Sequence, residues 1–425
     1  TGDVGGAADV AVTLVARQER FRLATGEEVD GYTLNGTSPG PTLHVPQGGL
    51  LEVRLVNESV AGGTTLHWHG VAVPNADDGV AGVTQDAVPV GGTHVYRFRP
   101  PRAGTYWYHA HQLSHVQVER GLFGALIVDP PGPAPLATAP AADVTALTHV
   151  YAGRRTVAGR TGDVPVDAAP GVPVRVRVIN TDNGPVRVWV DGGPFRLIAV
   201  DGNDVHEPGP VSGTAVDVTA GGRADLEVVP AAGGAVRVEI GGASALLVGP
   251  PGAPAPPPSR APDTVLDLLR YGTPAPLGFD PATAARTFSY AIGRRPGFVE
   301  GRPGLWWTVN GHLFPDLPMF TVVAGDVVRM HVSNTSGEVH PMHLHGHRMV
   351  VLARGGVPAT GSPWWVDSLN VGDGETYDVA FVADNPGVWS DHCHNLTHAR
   401  DGLIVHLMYA GVVPSYEIGG ANEPE

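Results

Sequence analysis

The sequence predicts an all-β protein built from three consecutive sandwich domains, and three features of the 425-residue chain lead to this prediction. Glycine and proline occur 58 and 40 times and punctuate many short strands, a pattern typical of sandwiches. Valine-rich alternating runs recur, for example at residues 11–17 and 174–178, with the periodicity of strands. Pro-rich stretches at 129–135 and 249–258 are predicted to be extended linkers, because proline cannot donate to a sheet.

The two linkers divide the chain into predicted domains at residues 1–130, 131–260 and 261–425. Each segment has the length of an ordinary sandwich domain. An internal repeat supports the division, because the first and third segments share the same order of motifs. A Thr-Leu-Asn-Gly or Thr-Val-Asn-Gly segment is followed by two strand-like runs and then by His-X-His-Gly, at residues 67–70 and 343–346.

The middle segment keeps the framework of this repeat but not its histidines. Residues 176–181 match the strand that precedes the histidine pair in the other segments. Trp189 and Asp191 then stand where the third segment has His343 and His345. We therefore expect the middle domain to bind no metal, to connect the first and third domains and to form a wall between them.

Composition excludes several classes of partner. The formal charge of −15, with a pI near 5.6 and no basic patch, excludes nucleic acid and anionic membranes as expected partners. No apolar run approaches the roughly 18 residues of a membrane span. The chain opens at Thr1 without a leader, and a removed export signal would explain the missing initiator Met. We therefore expect a secreted or periplasmic protein.

Four histidine pairs are spaced to share one face of a strand. In an extended segment residues i and i+2 point the same way, and such pairs occur as His67/His69, His109/His111, His343/His345 and His392/His394. A single pair is weak evidence, since two structural histidines have the same spacing. Four pairs, two in each copy of the repeat, indicate a metal site between the first and third domains.

The only cysteine, Cys393, lies between His392 and His394 and should face the opposite side of the strand. One strand could then serve two metal sites. A thiolate with two imidazoles and a weak or absent axial ligand is the blue-copper arrangement. His398 could supply one imidazole, and Leu403 stands where an axial ligand would approach. The alternative for a lone cysteine is a reduced core residue beside surface histidines.

The stretch at 391–403 resembles the C-terminal signature of the multicopper oxidases: His-Cys-His, three residues, His, and an axial position five further on. The resemblance extends over essentially the whole chain. It implies three cupredoxin-like Greek-key β-sandwich domains and four copper ions. By similarity, the type 1 copper is held by His340, Cys393 and His398, and the type 2 copper by His67 and His343. The type 3 pair is held by His69, His109, His111, His345, His392 and His394.

The resemblance also implies an enzyme that reduces O₂. A donor would give single electrons to the type 1 site, and Cys393 would pass them to His392 and His394, so that four transfers reduce O₂ to two waters. Asp78 is the candidate proton donor by similarity. Leu396 and Ala399 stand where a second carboxylate is common in the family, which leaves Asp391 or Asp401 as substitutes.

The first repeat tests the assignment without family knowledge. Set against His392-Cys393-His394 and His398, it contains His109-Ala110-His111 and His115. Ala110 replaces the cysteine, so a second blue-copper centre is excluded there. We expect His115 to lie outside the ligand set.

The predicted activity is a laccase-like oxidation of phenols and aromatic amines. We expect a monomer, since one chain holds both halves of the trinuclear site that the type 2 and type 3 coppers would form. The alternative is a metallo-oxidase acting on Cu⁺ or Fe²⁺. The chain has five methionines and no Met-rich insert, which argues against Cu⁺ oxidation. The sequence alone does not place an acidic cluster that would bind Fe²⁺. Paired tryptophans could floor an aromatic cleft or pack in the core: Trp306, Trp307, Trp364 and Trp365.

Two further alternatives belong to other classes. A copper nitrite reductase shares cupredoxin domains, but it lacks the His-Cys-His bridge to a trinuclear site. A copper-free structural relative would have lost ligands, and this chain retains all eleven. Oxygen uptake with a phenolic donor discriminates among the three.

Overall fold

The computed structural model describes residues 4–131, 143–414 and 416–425. Residues 132–135 of the first predicted linker lie outside this part of the chain. Within it the protein is almost entirely β-structure, with two short α-helices, and its fold is that of consecutive cupredoxin-like sandwiches. The predicted fold class is confirmed. Among the described residues, no helix has the length and apolar character that a membrane crossing requires.

The first sandwich packs two four-stranded sheets, ordered β2-β1-β4-β6 and β3-β8-β7-β5. The burial of β4 alternates along the strand because one face carries Leu51, Val53 and Leu55 into the core. A 3₁₀ turn at Asn75–Asp77 follows β5, and helix α1 at Ser114–Gln117 follows β7. The strands are β1 Val10–Arg22, β2 Glu28–Leu34, β3 Leu43–Pro46, β4 Leu51–Asn57, β5 His67–His69, β6 Thr93–Phe98, β7 Gly104–His109 and β8 Phe123–Asp129.

The middle sandwich packs a six-stranded sheet, β10-β9-β12-β17-β14-β15, on a five-stranded sheet, β11-β19-β18-β13-β16. It has its own apolar core, rich in valine. The strands are β9 Asp143–Tyr151, β10 Arg154–Val157, β11 Gly162–Asp167, β12 Val174–Asn180, β13 Val186–Asp191, β14 Phe195–Val200, β15 Asn203–Asp204, β16 Val216–Val218, β17 Arg223–Val228, β18 Val236–Ile240 and β19 Ser244–Gly249.

A long connection leads from β19 to the third sandwich and includes the second predicted linker. Its only regular element is a 3₁₀ turn at Pro281–Thr283. Tyr271 packs into the core of the middle sandwich, whereas Leu269 packs into the core shared by the first and third. The connection is therefore fastened to more than one sandwich.

The third sandwich packs a seven-stranded sheet, β21-β20-β23-β29-β25-β26 with β27 on β25, against a five-stranded sheet, β22-β31-β30-β24-β28. Helix α2, Leu396–Arg400, follows β30. The strands are β20 Arg286–Val299, β21 Arg302–Val309, β22 Met319–Val322, β23 Val327–Asn334, β24 His340–Leu344, β25 Met349–Arg354, β26 Val357–Pro358, β27 Trp364–Val366, β28 Ser368–Val371, β29 Thr376–Val382, β30 Val388–Cys393 and β31 Ile404–Tyr409.

Two strand pairings carry the histidine pairs. In the first sandwich β5 runs antiparallel to β7, with His67 opposite His109. In the third, β24 runs antiparallel to β30, with His343 opposite His392 and the next pair bringing Cys393 opposite Met342. Strands β7 and β30 are buried along their whole length. The first and third sandwiches share one continuous core, so the two strand pairs face each other across it.

Candidate metal centre

Cys393, His340 and His398 form a compact cluster in the third sandwich. The Cys393 Sγ lies 3.5 Å from Nδ1 of His340 and 3.8 Å from Nδ1 of His398, and the two nitrogens are 3.2 Å apart. Trp307 covers both imidazoles, with ring centroids 4.7 and 4.5 Å away. The three donor atoms thus converge in the geometry of a trigonal site.

Hydrogen bonds at the outer nitrogens fix both imidazoles of this cluster. Nε2 of His340 lies 2.7 Å from the Ser336 hydroxyl. Nε2 of His398 lies 3.2 Å from the side-chain amide nitrogen of Asn395 and 3.3 Å from a carboxylate oxygen of Glu338. Each Nδ1 is left to face the sulfur. The His398 side chain is 12% exposed, whereas His340 and Cys393 are fully buried, so His398 is the edge of the cluster nearest to solvent.

Burial sets the protonation of the cluster. It raises the pKa of the Cys393 thiol and, together with repulsion from His398, lowers the pKa of His340 to about 3. The imidazoles are therefore neutral and able to bind a metal, and a soft cation must displace the thiol proton when it binds. Leu403 is fully buried in the same apolar core as Cys393, and its side chain offers no donor atom.

Eight histidines form a second cluster between the first and third sandwiches. They lie on β5, β7, β24 and β30 or just beyond the ends of these strands, and each is at most 1% exposed. Four come from each sandwich: His67, His69, His109, His111, His343, His345, His392 and His394.

The donor atoms of this cluster lie close together. Nε2 of His392 is 3.0 Å from Nε2 of His345 and 3.4 Å from Nε2 of His111. Rings from opposite sandwiches stack with centroids 3.8 Å apart, in the pairs His67 with His345 and His69 with His343. Groups of three with donor atoms within 4.8 Å are His67/His69/His109, His67/His343/His345 and His111/His345/His392.

The donor set fits copper. Burial lowers the pKa of seven of the eight imidazoles, which keeps them in the neutral, metal-binding form. Buried polar atoms are normally hydrogen-bonded, yet several ring nitrogens have no partner among the described residues. They are Nε2 of His67, His109 and His343, Nδ1 of His69 and His111, and both nitrogens of His394. Metal ligation accounts for such a set.

Asp78 contacts two of the clustered histidines. One of its carboxylate oxygens lies 2.9 Å from Nδ1 of His345 and the other 3.1 Å from Nδ1 of His67. The Asp78 side chain is fully buried, so it is not a solvated turn residue. The hydrogen bond of His67 Nδ1 goes to the Asp78 backbone carbonyl, at 2.9 Å. Asp78 thus engages both outer nitrogens, through its carbonyl and its carboxylate, and directs each Nε2 inward.

The middle sandwich also contributes to the site, and sequence reasoning missed this. Arg223 on β17 donates to both carboxylate oxygens of Asp367, at 2.8 and 2.6 Å, and to the carbonyl of Thr105 at 3.0 Å. Asp367 in turn lies 3.1 Å from Nε2 of His69, and its carbonyl lies 2.9 Å from Nδ1 of His343. The buried ion pair therefore links all three sandwiches behind the histidines.

Gly221, also in the middle sandwich, approaches the histidines directly. Its φ is +75°, and a Cβ there would lie 2.8 Å from Cε1 of His69 and 2.9 Å from the ring of His394. Its carbonyl accepts a hydrogen bond from the Trp107 indole at 3.0 Å. Gly221 thus forms part of the wall of the site. None of the described histidine and acidic residues that group as candidate ligands belongs to the middle sandwich.

We expect Gly221→Ala to reduce the copper bound per chain, because the new methyl group displaces His69 and His394. The measurement is copper content together with the EPR spectrum of the copper-loaded variant. Gly213→Ala is the matched control: Gly213 also has a positive φ, +60°, but nothing lies within 4 Å of its Cβ position. Equal copper content in the two variants would contradict the packing of Gly221 against His69 and His394.

A third carboxylate, after those of Asp78 and Asp367, reaches the histidine cluster from the end of the described chain. One Glu425 carboxylate oxygen lies 3.6 Å from Nε2 of His111 and 3.5 Å from Nδ1 of His392, and burial raises its pKa well above the usual value. The Glu423 carbonyl accepts from the Leu113 backbone at 2.7 Å. No sequence signal pointed to Glu425, because the tail is remote from the His-Cys-His segment.

The remaining predicted positions have other surroundings. Asp391 is buried on β30, two residues before Cys393 and so on the face of that residue. Leu396 and Ala399 are buried apolar residues of α2. His115 lies on α1 and does not join the groups of candidate ligands formed by the described residues.

Sandwiches that bring ten imidazoles and one thiol into two adjacent clusters define a copper protein of the cupredoxin type. Two family models, both described as multicopper oxidase, match residues 16–133 and 284–411, which together make up more than half of the chain. The chain belongs to the multicopper oxidase family and is an oxidoreductase.

Named relatives agree with this membership. The chain is 28% identical to the multicopper oxidase MmcO of Mycobacterium tuberculosis, over 94% of this chain and 87% of that protein. It is 27% identical to Laccase-1 of Botryotinia fuckeliana, over 91% and 79% of the two chains. The crystal structure of a multicopper oxidase from Pseudomonas thermotolerans aligns with a TM-score of 0.76 at 29% identity, covering 95% of this chain and all of the other.

Proposed function

We propose that this multicopper oxidase is laccase-like and couples the one-electron oxidation of phenols and aromatic amines to the four-electron reduction of O₂ to water. The observation that carries the proposal is the continuity of β30 between the two clusters. His392 and His394, in the eight-histidine cluster, are covalently bonded neighbours of Cys393, in the three-residue cluster. One strand thus connects a site near the surface to a buried one.

The chain supplies spacing, ligand identity and shielding. When bound, one type 1, one type 2 and two type 3 coppers would supply the electron acceptor and the oxygen-reducing centre, held by the residues assigned above. Asp78 and Asp367 hold histidine rings by their outer nitrogens. Asp78 is also our candidate for delivering protons, because its carboxylate contacts His67 and His345. Burial of all eight histidines excludes bulky donors from the oxygen site.

The first experiment is copper content per chain with visible and EPR spectra, followed by O₂ uptake with a phenolic donor. We expect four coppers, two distinct Cu(II) signals and four donor molecules oxidised per O₂. One copper or none in a folded protein would overturn the trinuclear assignment and favour electron transfer or a binding role. Nitrite reduction without oxygen uptake would favour a reductase.

Glu338 makes Fe²⁺ oxidation a second candidate. Its carboxylate is 44% exposed and lies 3.3 Å from Nε2 of His398, an acidic contact that sequence reasoning could not place. However, Arg294 lies 3.1 Å from the same carboxylate and over the Trp307 ring at 4.2 Å. Because the Arg294 guanidinium offsets the negative charge of Glu338, the surface beside His398 favours an organic donor over Fe²⁺. The ratio of kcat/KM for a phenol to that for Fe²⁺ decides between them.

We expect Glu338→Gln to raise KM for aromatic amines several-fold with a smaller change in kcat, because the carboxylate beside His398 can accept a donor's N–H. Steady-state oxidation kinetics measure both constants. Glu58→Gln is the control: it removes a carboxylate that is 53% exposed from the Arg17 ion pair, in the first sandwich and far from His398 in the sequence. Identical KM values for the two variants would mean that Glu338 does not contact the donor.

We also propose that the protein is a monomer located outside the cytoplasm. Each chain contains both halves of the eight-histidine cluster, so a partner subunit is not needed to complete it. Size-exclusion chromatography with light scattering tests the first statement, and cell fractionation tests the second.

A further inference from the structure

A cavity of about 430 Å³ opens beside the eight-histidine cluster but is separate from it. Arg102 of the first sandwich lines one side, and Arg348 and Trp365 of the third line the other. Phe279, from the long connection before β20, closes part of the wall. The cavity therefore lies where separate parts of the fold meet, a common position for ligand sites.

The two guanidiniums have no acidic partner. Within the described residues, no carboxylate oxygen lies within 4.0 Å of a nitrogen of Arg102 or Arg348. Nε of Arg102 is buried and has no hydrogen-bond acceptor there. Arg348 donates one hydrogen bond, to the Asn203 side chain at 2.5 Å, and stacks on Trp365 at 4.1 Å. Both arginines are partly buried. Charges taken out of water are usually paired, so two unpaired guanidiniums are unusual in a chain of net charge −15.

The other polar groups of the cavity are already engaged. The ring nitrogens of His347 contact the His345 carbonyl at 2.9 Å and the Tyr409 hydroxyl at 2.6 Å. Asn385 donates to backbone carbonyls. Asp384 lines the cavity as an exposed residue. The free donors of the cavity therefore belong to the two arginines, and the Asp384 carboxylate at the exposed edge lies more than 4.0 Å from their nitrogens.

We propose that this cavity binds a small oxyanion, a carboxylate or a phosphate, held jointly by Arg102 and Arg348. A guanidinium presents parallel N–H donors that match such groups. Burial and repulsion from Arg102 lower the pKa of Arg348 to about 10, and a bound anion would relieve that repulsion. The proposal goes beyond the oxidase function and does not depend on it.

Calorimetric titration of the copper-loaded protein at pH 7 tests the site. Inorganic phosphate and benzoate are titrated separately at constant ionic strength, with chloride as the reference. We expect saturable binding of at least one oxyanion, and the two titrations distinguish a phosphate from a carboxylate site. Absence of saturable binding for both would overturn the proposal.

Variants assign the binding to these residues. Arg102→Gln and Arg348→Gln should each weaken binding at least about tenfold, the effect of losing charged hydrogen bonds. Arg160→Gln removes the same charge from an exposed side chain in the middle sandwich and should leave binding unchanged. Anion binding at copper would persist in all three variants and would overturn the assignment. If Arg348→Gln fails to fold, Arg102→Gln decides, since the Arg102 side chain makes no hydrogen bond or ion pair with the described residues.

Discussion

Cys393→Ser should abolish the intense thiolate-to-copper absorption and lower the rate of donor oxidation by more than about 100-fold. Cys393 is the only thiol in the chain and lies 3.5 Å from Nδ1 of His340. A serine hydroxyl is a harder and far less acidic ligand, so the site loses its preference for copper. Visible spectroscopy and steady-state oxidation of a phenol measure the two effects.

The same variant contains its own control. The eight-histidine cluster does not include Cys393, so the second Cu(II) signal should persist in the EPR spectrum and copper content should fall by one ion. Survival of the blue band in the variant would contradict the type 1 assignment. Loss of all copper would instead mean that copper binding at both clusters depends on the Cys393 thiolate.

Arg223→Met should lower the free energy of unfolding by about 3–5 kcal/mol, the usual effect of removing one partner of a buried ion pair. Arg223 is fully buried, and its guanidinium is bonded to both carboxylate oxygens of Asp367. Burial alone would raise the pKa of Asp367, and Arg223 with His343 holds it below the usual value. Without Arg223 that carboxylate loses its main counter-charge. Denaturant unfolding of the metal-free protein measures the change.

Two further variants make this prediction specific. Arg187→Met removes an exposed partner of Asp217, with both side chains 40% exposed, and should cost no more than about 1 kcal/mol. Arg223→Met combined with Asp367→Leu should recover part of the stability, because the two main opposite charges are removed together, while buried Asp201, 3.6 Å from Arg223, still loses its counter-charge. Copper binding should not recover, because the support of His69 and His343 is lost. Equal destabilisation by Arg187→Met and Arg223→Met would contradict the structural role of the pair.

Local periodicity was sufficient to predict which candidate ligands share a face of a strand. Alternation along a strand places His392 and His394 on one face and Cys393 on the other, and the structure has Cys393 beside His340 and His398 and the flanking histidines in the other cluster. The recurrence of His-X-His-Gly in both copies of the repeat likewise pointed to a site between the first and third sandwiches. The division into three domains was predicted from the two Pro-rich stretches and the internal repeat.

The surroundings of the ligands could not be predicted in this way. Arg223, Gly221 and Glu425 reach the histidines from the middle sandwich and from the end of the described chain, and no short-range pattern marks any of them. The pairing of Arg294 with Glu338 beside His398 is equally invisible in the sequence.

The sequence by itself therefore determined the class of fold, the donor atoms and the two faces of β30, because these depend on residue type and on a period of two along a strand. Only the tertiary structure showed which residues hydrogen-bond to the candidate ligands, which pack against them and which lie beside His398 at the surface. Those contacts join residues far apart in the chain, as Arg223 and Asp367 are, and arise from how the sandwiches pack against one another.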